Sequence, residues 1–402
     1  MKSTVLQKSF SSIKVPERGI IYTLALYAVL FFIFLIPWAD GLSDGLAKLF
    51  GIIAFGSSSL VLVIHGSHRN YSYFHFFVLL LWSWIIFSVV WTPNLQAGME
   101  TAPRLFQIML LPFLFTLIIT SRNDILRAYQ AYVLGNIIGS SIIIYNYLHG
   151  IESPYYNRYT VPNIETDVMS IILALSIPMA AYLSSNLQSK LGKIIYTSAL
   201  PLIIFAIFLT GTRTGSIVAV IGIMYWLFTH RNASIKVKAS ILIVFILSII
   251  VVVAYAPKAS TERVFSAGKS IKSGNLNYRT VIWGASIEQW KRAPIIGTGL
   301  GGLSNVLSEK HVNFAAAHNT HIQILTENGL IGVFLYIMLE LSVLLVILQA
   351  PYPDKVFLLS LFLSIVVSQL TLHTHTLKET WFALTIIVIH SLLSTRKNQK
   401  RV

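Results

Sequence analysis

Stretches of roughly 20 mostly apolar residues recur along this chain, separated by short polar breaks. A helix of about that length crosses about 30 Å of hydrocarbon, and in lipid only helices and closed barrels satisfy their own backbone groups. With 55% apolar and 11% charged residues over 402 positions, a soluble domain is excluded and a bilayer must be the solvent. Twelve spans are read, at 19–38, 46–65, 72–91, 101–119, 126–148, 164–184, 192–210, 213–229, 236–255, 329–349, 355–372 and 379–394. The predicted fold class is therefore all-α and polytopic, with residues 1–402 forming one membrane domain. Its one large loop, 256–328, lies between the ninth and tenth helices and is expected to hold short helices.

Orientation follows from Lys and Arg in the short loops, which bias topology. One side carries Lys2, Lys8, Lys14, Arg18, Arg69, Arg122, Arg127, Lys190, Lys193, Arg231, Lys236, Lys238, Lys355, Arg396, Lys397, Lys400 and Arg401. The short loops and helix ends of the other side hold only Lys48, Arg104, Arg158, Arg213 and Lys378, and the remaining cations fall in the long loop. Both termini are expected in the cytoplasm and the long loop outside it. The net charge of +15 is then a topology signal, and reading it as a nucleic-acid patch would mistake cytoplasmic anchoring for binding. The basic N-terminal segment precedes an apolar run too long for a signal-peptide core, so it is read as a retained first helix. With no cysteine, disulfides and thiolate metal sites are excluded.

The long loop opens with Lys258, Arg263, Lys269 and Lys272 among Ser and Gly, then turns helical from Tyr278 and Arg279 to Trp290. The apolar positions 278, 281, 282, 285 and 290 suit a surface helix packed on the membrane domain. Pro294 and the run Gly297-Thr298-Gly299-Leu300-Gly301-Gly302 end it. Without a Lys-Ser or Lys-Thr ending or a preceding strand, that run reads as a turn with close helix packing and not as a nucleotide loop. His318-Asn319-Thr320-His321 then leads through Glu327-Asn328-Gly329 into an apolar span. A histidine at the interface, partly shielded from water, can take a proton near neutral pH; it can equally be a helix cap. His318 and His321, at i and i+3, would share a helical face, which permits a metal site, but no carboxylate or third His lies close in sequence. His373 and His375 read as solvated loop residues at an external turn.

Three arginines outside the long loop stand where a charge is costly and tends to mark function. Arg213 sits in the tight turn Thr210-Gly211-Thr212-Arg213-Thr214-Gly215, Arg158 lies between Tyr155 and Pro162, and Arg104 is placed at the outer start of the fourth helix. Guanidinium forks converging on one cavity would suit a diphosphate, while anchoring to lipid headgroups is the plainer use. Glu165 and Asp167, at the outer start of the sixth helix, could hold a metal, but their simpler role is favourable acid placement at a helix N-terminus.

These residues carry a resemblance. The Thr210–Gly215 turn, the Arg279–Trp283 helix followed by Pro294 and Gly297-Thr298-Gly299, and above all His318-Asn319 leading to Glu327-Asn328-Gly329-Leu330-Ile331-Gly332 resemble the O-antigen ligase and O-antigen polymerase superfamily of bacterial envelope glycosyltransferases, over roughly residues 155–345. The resemblance implies inverting, metal-independent transfer of a glycan from undecaprenyl diphosphate to an acceptor hydroxyl at the periplasmic face of the inner membrane, without a cofactor. It implies His318 as the catalytic residue and Arg213 and Arg279 as ligands of the donor diphosphate. Arg158 joins them on topology, with Asn319, His321, Arg104 and Glu327 in support. Length, helix count and a single large loop favour the ligase of lipopolysaccharide biosynthesis, with lipid A core as acceptor, over the polymerase. A transporter or flippase of lipid-linked glycan is the competing class; against it, the polar residues gather on one face and no matched halves are evident.

Overall fold

The computed structural model describes residues 19–43, 45–66, 71–154, 157–229, 243, 250, 279–309 and 316–399. Among them every regular element is helical. In chain order these are α1 (Ile20–Leu35), α2 (Ala39–Leu42), α3 (Leu46–His65), α4 (Tyr73–Phe87), α5 (Leu95–Ile118), α6 (Arg122–Leu148), α7 (Thr166–Asn186), α8 (Lys190–Leu209), α9 (Arg213–Thr229), α10 (Arg279–Arg292), α11 (Gly302–Glu309), α12 (Thr320–Gln349), α13 (Asp354–Gln369) and α14 (Lys378–Gln399), with 3₁₀ turns at Ser88–Trp91 and Thr374–Thr376. Seven segments are long and apolar enough to cross a membrane, so this is an integral membrane protein. The expected ninth span, 236–255, the first part of the long loop through Tyr278, and 310–315 fall outside the described residues, two isolated positions apart.

The other eleven expected spans fall on helices. The fourth differs most: α5 starts at Leu95, six positions before the expected 101, because Asn94 caps it by accepting the Ala97 N–H at 3.0 Å. Arg104 therefore lies inside α5, not at its start. The core is built around α7, of which nearly every residue is buried. Helix α9 approaches it closely through Gly215 and Gly222, one face seven positions apart, where a Cβ would fall 2.4 Å from Ser170 and 2.8 Å from Ile177.

Successive helices alternate in direction, and side-chain bonds mark the two ends. At one end Tyr22, at the start of α1, donates to the Ile118 carbonyl at the end of α5, and Arg122, Tyr182, Asp354 and His390 from α6, α7, α13 and α14 interlock. At the other end the starts of α7 and α9 meet the end of α8, and the start of α12 meets the end of α13.

Helix α12 is continuous only in outline. Gly329 has φ 65° and ψ −163°, which breaks the helix into an arm, Thr320–Asn328, and a span, Leu330–Gln349. His321 Nε2 lies 3.5 Å from Glu340 Oε2. Nineteen residues of straight helix would hold those positions about 28 Å apart, so the arm folds back along the span. Such a break orphans carbonyls of the arm and N–H groups of the span. The Pro294–Gly299 segment takes up both sets: Thr298 and Gly299 N–H donate to the Thr326 and Glu327 carbonyls at 2.9 and 2.8 Å, and Leu330 and Ile331 N–H donate to the Pro294 and Ile295 carbonyls at 2.9 and 3.2 Å. Trp84 Nε1 donates to the Asn328 carbonyl at 3.0 Å. A Cβ on Gly297 would sit 2.4 Å from the Glu327 carbonyl carbon, so the glycine run serves backbone-to-backbone packing as its sequence suggested.

Candidate functional site

The site forms at the end of the bundle where α7, α9, α10 and the arm of α12 begin. The Thr210–Arg213 turn is held from beneath by Arg158, which is 6% exposed. Its Nε donates to the Thr210 carbonyl at 2.7 Å, and its Nη2 to Thr212 Oγ1 at 2.8 Å and Asp167 Oδ1 at 2.6 Å. Thr212 also donates to Asp167 at 3.2 Å. Arg158 was expected among direct donor ligands; the structure instead engages its guanidinium with the turn that presents Arg213. Asp167, weighed from sequence as a metal ligand or a helix-dipole acid, is the carboxylate of this pair, while Glu165 is exposed at the α7 N-cap. Among the described residues no three His, Asp or Glu side chains gather as a metal site would require.

Arg279 opens α10 partly buried. Burial and the neighbouring Arg213 guanidinium pull its pKa below the usual arginine value, against the Asp167 carboxylate. His318 faces the same charges: burial and the positive charge of Arg279 lower its pKa below the ordinary 6.5, with Asp167 opposing. Both influences favour the neutral imidazole, the form that can accept a proton. Arg213, Arg279, Asp167, Arg158 and His318, spread over 160 positions of sequence, thus act on one another electrostatically in one locality. Among the described residues three guanidiniums stand there against two carboxylates, Asp167 and its neighbour Glu165, so the local balance favours an anion.

His318 does not share a helical face with His321, contrary to the i, i+3 expectation. It lies before the helix, with φ 48°, and Asn319 is the cap, accepting the Ile322 N–H at 3.0 Å and donating to the Leu370 carbonyl at 3.1 Å. A left-handed non-glycine residue is strained and must be held by its surroundings. The holder is visible: Ala317 N–H donates to Gln323 Oε1 at 2.8 Å, and Gln323 Nε2 donates to Glu327 Oε1 at 2.8 Å. Backbone N–H groups of Gly301 and Leu303 also reach the Glu327 carboxylate, tying the arm to the start of α11. Glu327 thus supports His318 through Gln323, a link the sequence reading missed although 319, 323 and 327 repeat at helical spacing. His321 turns away to Glu340 and packs its ring edge-on to Tyr336 at 5.7 Å.

His373 and His375, expected as solvated, are folded in. Thr320 Oγ1 donates to the Leu372 carbonyl at 2.9 Å and accepts from Thr374 N–H at 2.9 Å, which staples their turn to the start of the arm. The His373 and His318 rings stand 5.9 Å apart at 75°. Burial, His318 and Arg104 push the His373 pKa down to about 4, and burial, His373 and His321 push that of His375 down to about 3. The missed signal was the apolar setting, Leu370, Leu372 and Leu377, with no solvating charge between the two histidines.

An integral membrane protein, helical in every regular element among the described residues, with arginines and a histidine gathered at one end is the class that fold and site define. Residues 198–337 match the family model described as O-Antigen ligase, so the chain carries an O-antigen ligase family domain over that stretch, and the superfamily resemblance drawn from its motifs is borne out. The family is one of glycosyltransferase-like enzymes of the ligase and polymerase type. The matched stretch contains Arg213, Arg279, His318, Asn319, His321, Gln323 and Glu327, while Arg104, Arg158, Asp167 and His373 lie outside it. A protein of Haemophilus influenzae described as "Uncharacterized protein" is 23% identical over 354 residues, covering 82% of this chain and 85% of that protein.

Proposed function

We propose that the protein is an O-antigen ligase, transferring a glycan from undecaprenyl diphosphate to a hydroxyl of the lipid A core at the periplasmic face of the bacterial inner membrane, with twelve spans and both termini cytoplasmic. The observation that carries this reading is the meeting of a neutral His318 imidazole with Arg279, Arg213 and the Arg158–Asp167 pair inside a domain matching the family. In the reaction the acceptor hydroxyl loses its proton to the His318 ring nitrogen as its oxygen bonds to the anomeric carbon. The bond from that carbon to the diphosphate oxygen breaks on the opposite face, which inverts the centre, and undecaprenyl diphosphate departs. The proton then passes from the imidazole to solvent.

Arg213 and Arg279 take the phosphate oxygens and stabilise charge growing on the leaving group. A diphosphate diester carries about two negative charges, and Arg213 and Arg279 bring two guanidiniums to it, with Arg158 set against Asp167. Those fixed cations occupy the place a divalent metal takes in other diphosphate enzymes, hence metal independence is expected. Arg158 braces the turn beneath Arg213. The polymerase of the same superfamily would use the same donor chemistry with a lipid-linked repeat unit as acceptor. The deciding experiment gives purified protein the lipid-linked donor with either lipid A core or lipid-linked repeat units, in detergent and without a gradient. Product on lipid A core supports the ligase, product only on repeat units makes it the polymerase, and no product with either returns the chain to the transporter class.

A further inference from the structure

The cations of the site couple to one another in a chain. Arg213 acts on Arg279, Arg279 and Asp167 act on His318, His318 acts on His373, and Arg104 acts on His373. His318 thus stands between the guanidinium pair assigned to the donor and a second group, His373 with Arg104, that the transfer reading leaves without a task. The second group is built and not incidental. Its turn is fixed to the arm by the two bonds of Thr320 and by Asn319, and Trp381 Nε1 holds the His375 carbonyl at 2.7 Å. The ring of His373 stands 5.9 Å from that of His318, about one hydroxyl-bearing carbon away, and its buried Nδ1 has no hydrogen-bond partner among the described residues. Arg104, exposed on α5, couples electrostatically to both His373 and Glu379, which places it near the same turn.

We infer that His373 and Arg104 form the acceptor subsite, across His318 from the donor arginines, and that it takes an anionic glycolipid. His373 hydrogen-bonds a sugar hydroxyl next to the one that attacks, and Arg104 pairs with a phosphate of the acceptor lipid. A neutral imidazole suits the first task because it both donates and accepts, which a hydroxyl can answer. An exposed guanidinium suits the second because a phosphate reaches it without first being stripped of water. Lipid A core and lipid-linked repeat units both carry phosphate, so the chemistry is shared and the acceptor arms of the assay separate the two. This assignment rests on the transfer reading and sharpens it.

The test is steady-state transfer by the full chain in detergent, with KM measured separately for donor and acceptor, each acceptor run in its own arm. His373→Phe should raise the acceptor KM about tenfold, the loss of roughly one hydrogen bond in a shielded site, and Arg104→Gln about threefold, the loss of an exposed ion pair. Donor KM should stay within about twofold, which also reports that the variants fold. His373→Gln, which keeps a donor and an acceptor, should recover part of the loss. An unchanged acceptor KM, or a donor KM that rises as much, overturns the subsite while leaving ligase or polymerase activity intact. No product from the wild type with either acceptor defeats the transfer reading and the subsite with it.

Discussion

His318 carries the reaction in this reading, and its environment fixes how activity should respond to pH. Its folded pKa lies below 6.5 because burial and Arg279 disfavour the imidazolium, so the base form is full at neutral pH and is lost as pH falls through that lowered value. We expect kcat/KM to be flat around pH 7 and to fall on the acid side with a midpoint under 6.5; a midpoint at or above 6.5 would assign the proton to another group. His318→Ala should reduce turnover at least 100-fold with the protein still inserted and folded by circular dichroism. Gln323→Leu removes the hydrogen-bonded link between Ala317 and Glu327, and we expect kcat to fall about tenfold or more with donor KM little changed, while Gln323→Asn, shorter by one methylene, should not rescue it. Arg279→Lys keeps the charge and loses the fork, so donor KM should rise markedly; wild-type kinetics would point to headgroup anchoring instead. That His318, Arg213 and Arg279 would come to one locality was legible in the sequence because rare polar residues stand out against apolar neighbours. The ion pair of Arg158 with Asp167 was not, because a string of letters does not say which carboxylate a guanidinium meets.

Helices were legible where hydropathy alone defines them, and the expected start of the tenth span at 329 coincides with the break at Gly329. That the residues before it form a second helix folded back on the first left no local trace, since the bonds that permit it come from Pro294 to Gly299, some thirty positions upstream. The early start of α5 was missed because Gln96, Gly98 and Glu100 interrupt the apolar run, although Asn94 stood ready as a cap. The break makes a specific demand on its partner strand. Gly297→Ala would place a methyl group 2.4 Å from the Glu327 carbonyl carbon at a φ of 70°, and we expect a loss of about 2 to 4 kcal/mol, read as a lowered unfolding temperature in detergent. Gly284→Ala, inside α10 with nothing near its Cβ, is the control and should hold the temperature or raise it slightly, since alanine favours a helix interior over glycine.

On the scale of the whole molecule, the charge pattern predicts sidedness that the two ends of the bundle can report. The chain has no cysteine, so single replacements give clean labels. Gln96→Cys, exposed at the site end, should react with an impermeant maleimide in intact spheroplasts, and Gln188→Cys, exposed at the opposite end, only after permeabilisation; the reverse result would turn the protein over in the membrane. The opposite end is also where the bundle is tied. Asp354 accepts from Tyr182 at 2.8 Å, from Ser394 at 2.7 Å and from Arg122 at 3.2 Å, while Tyr182 and Tyr129 both reach His390. Four helices are riveted there, and at the site end α7 is joined to the turn before α9 through Asp167, Thr212 and Arg158. With both extremities laced, a bulky lipid-borne sugar would have to enter by the side of the bundle or part that second set of bonds first.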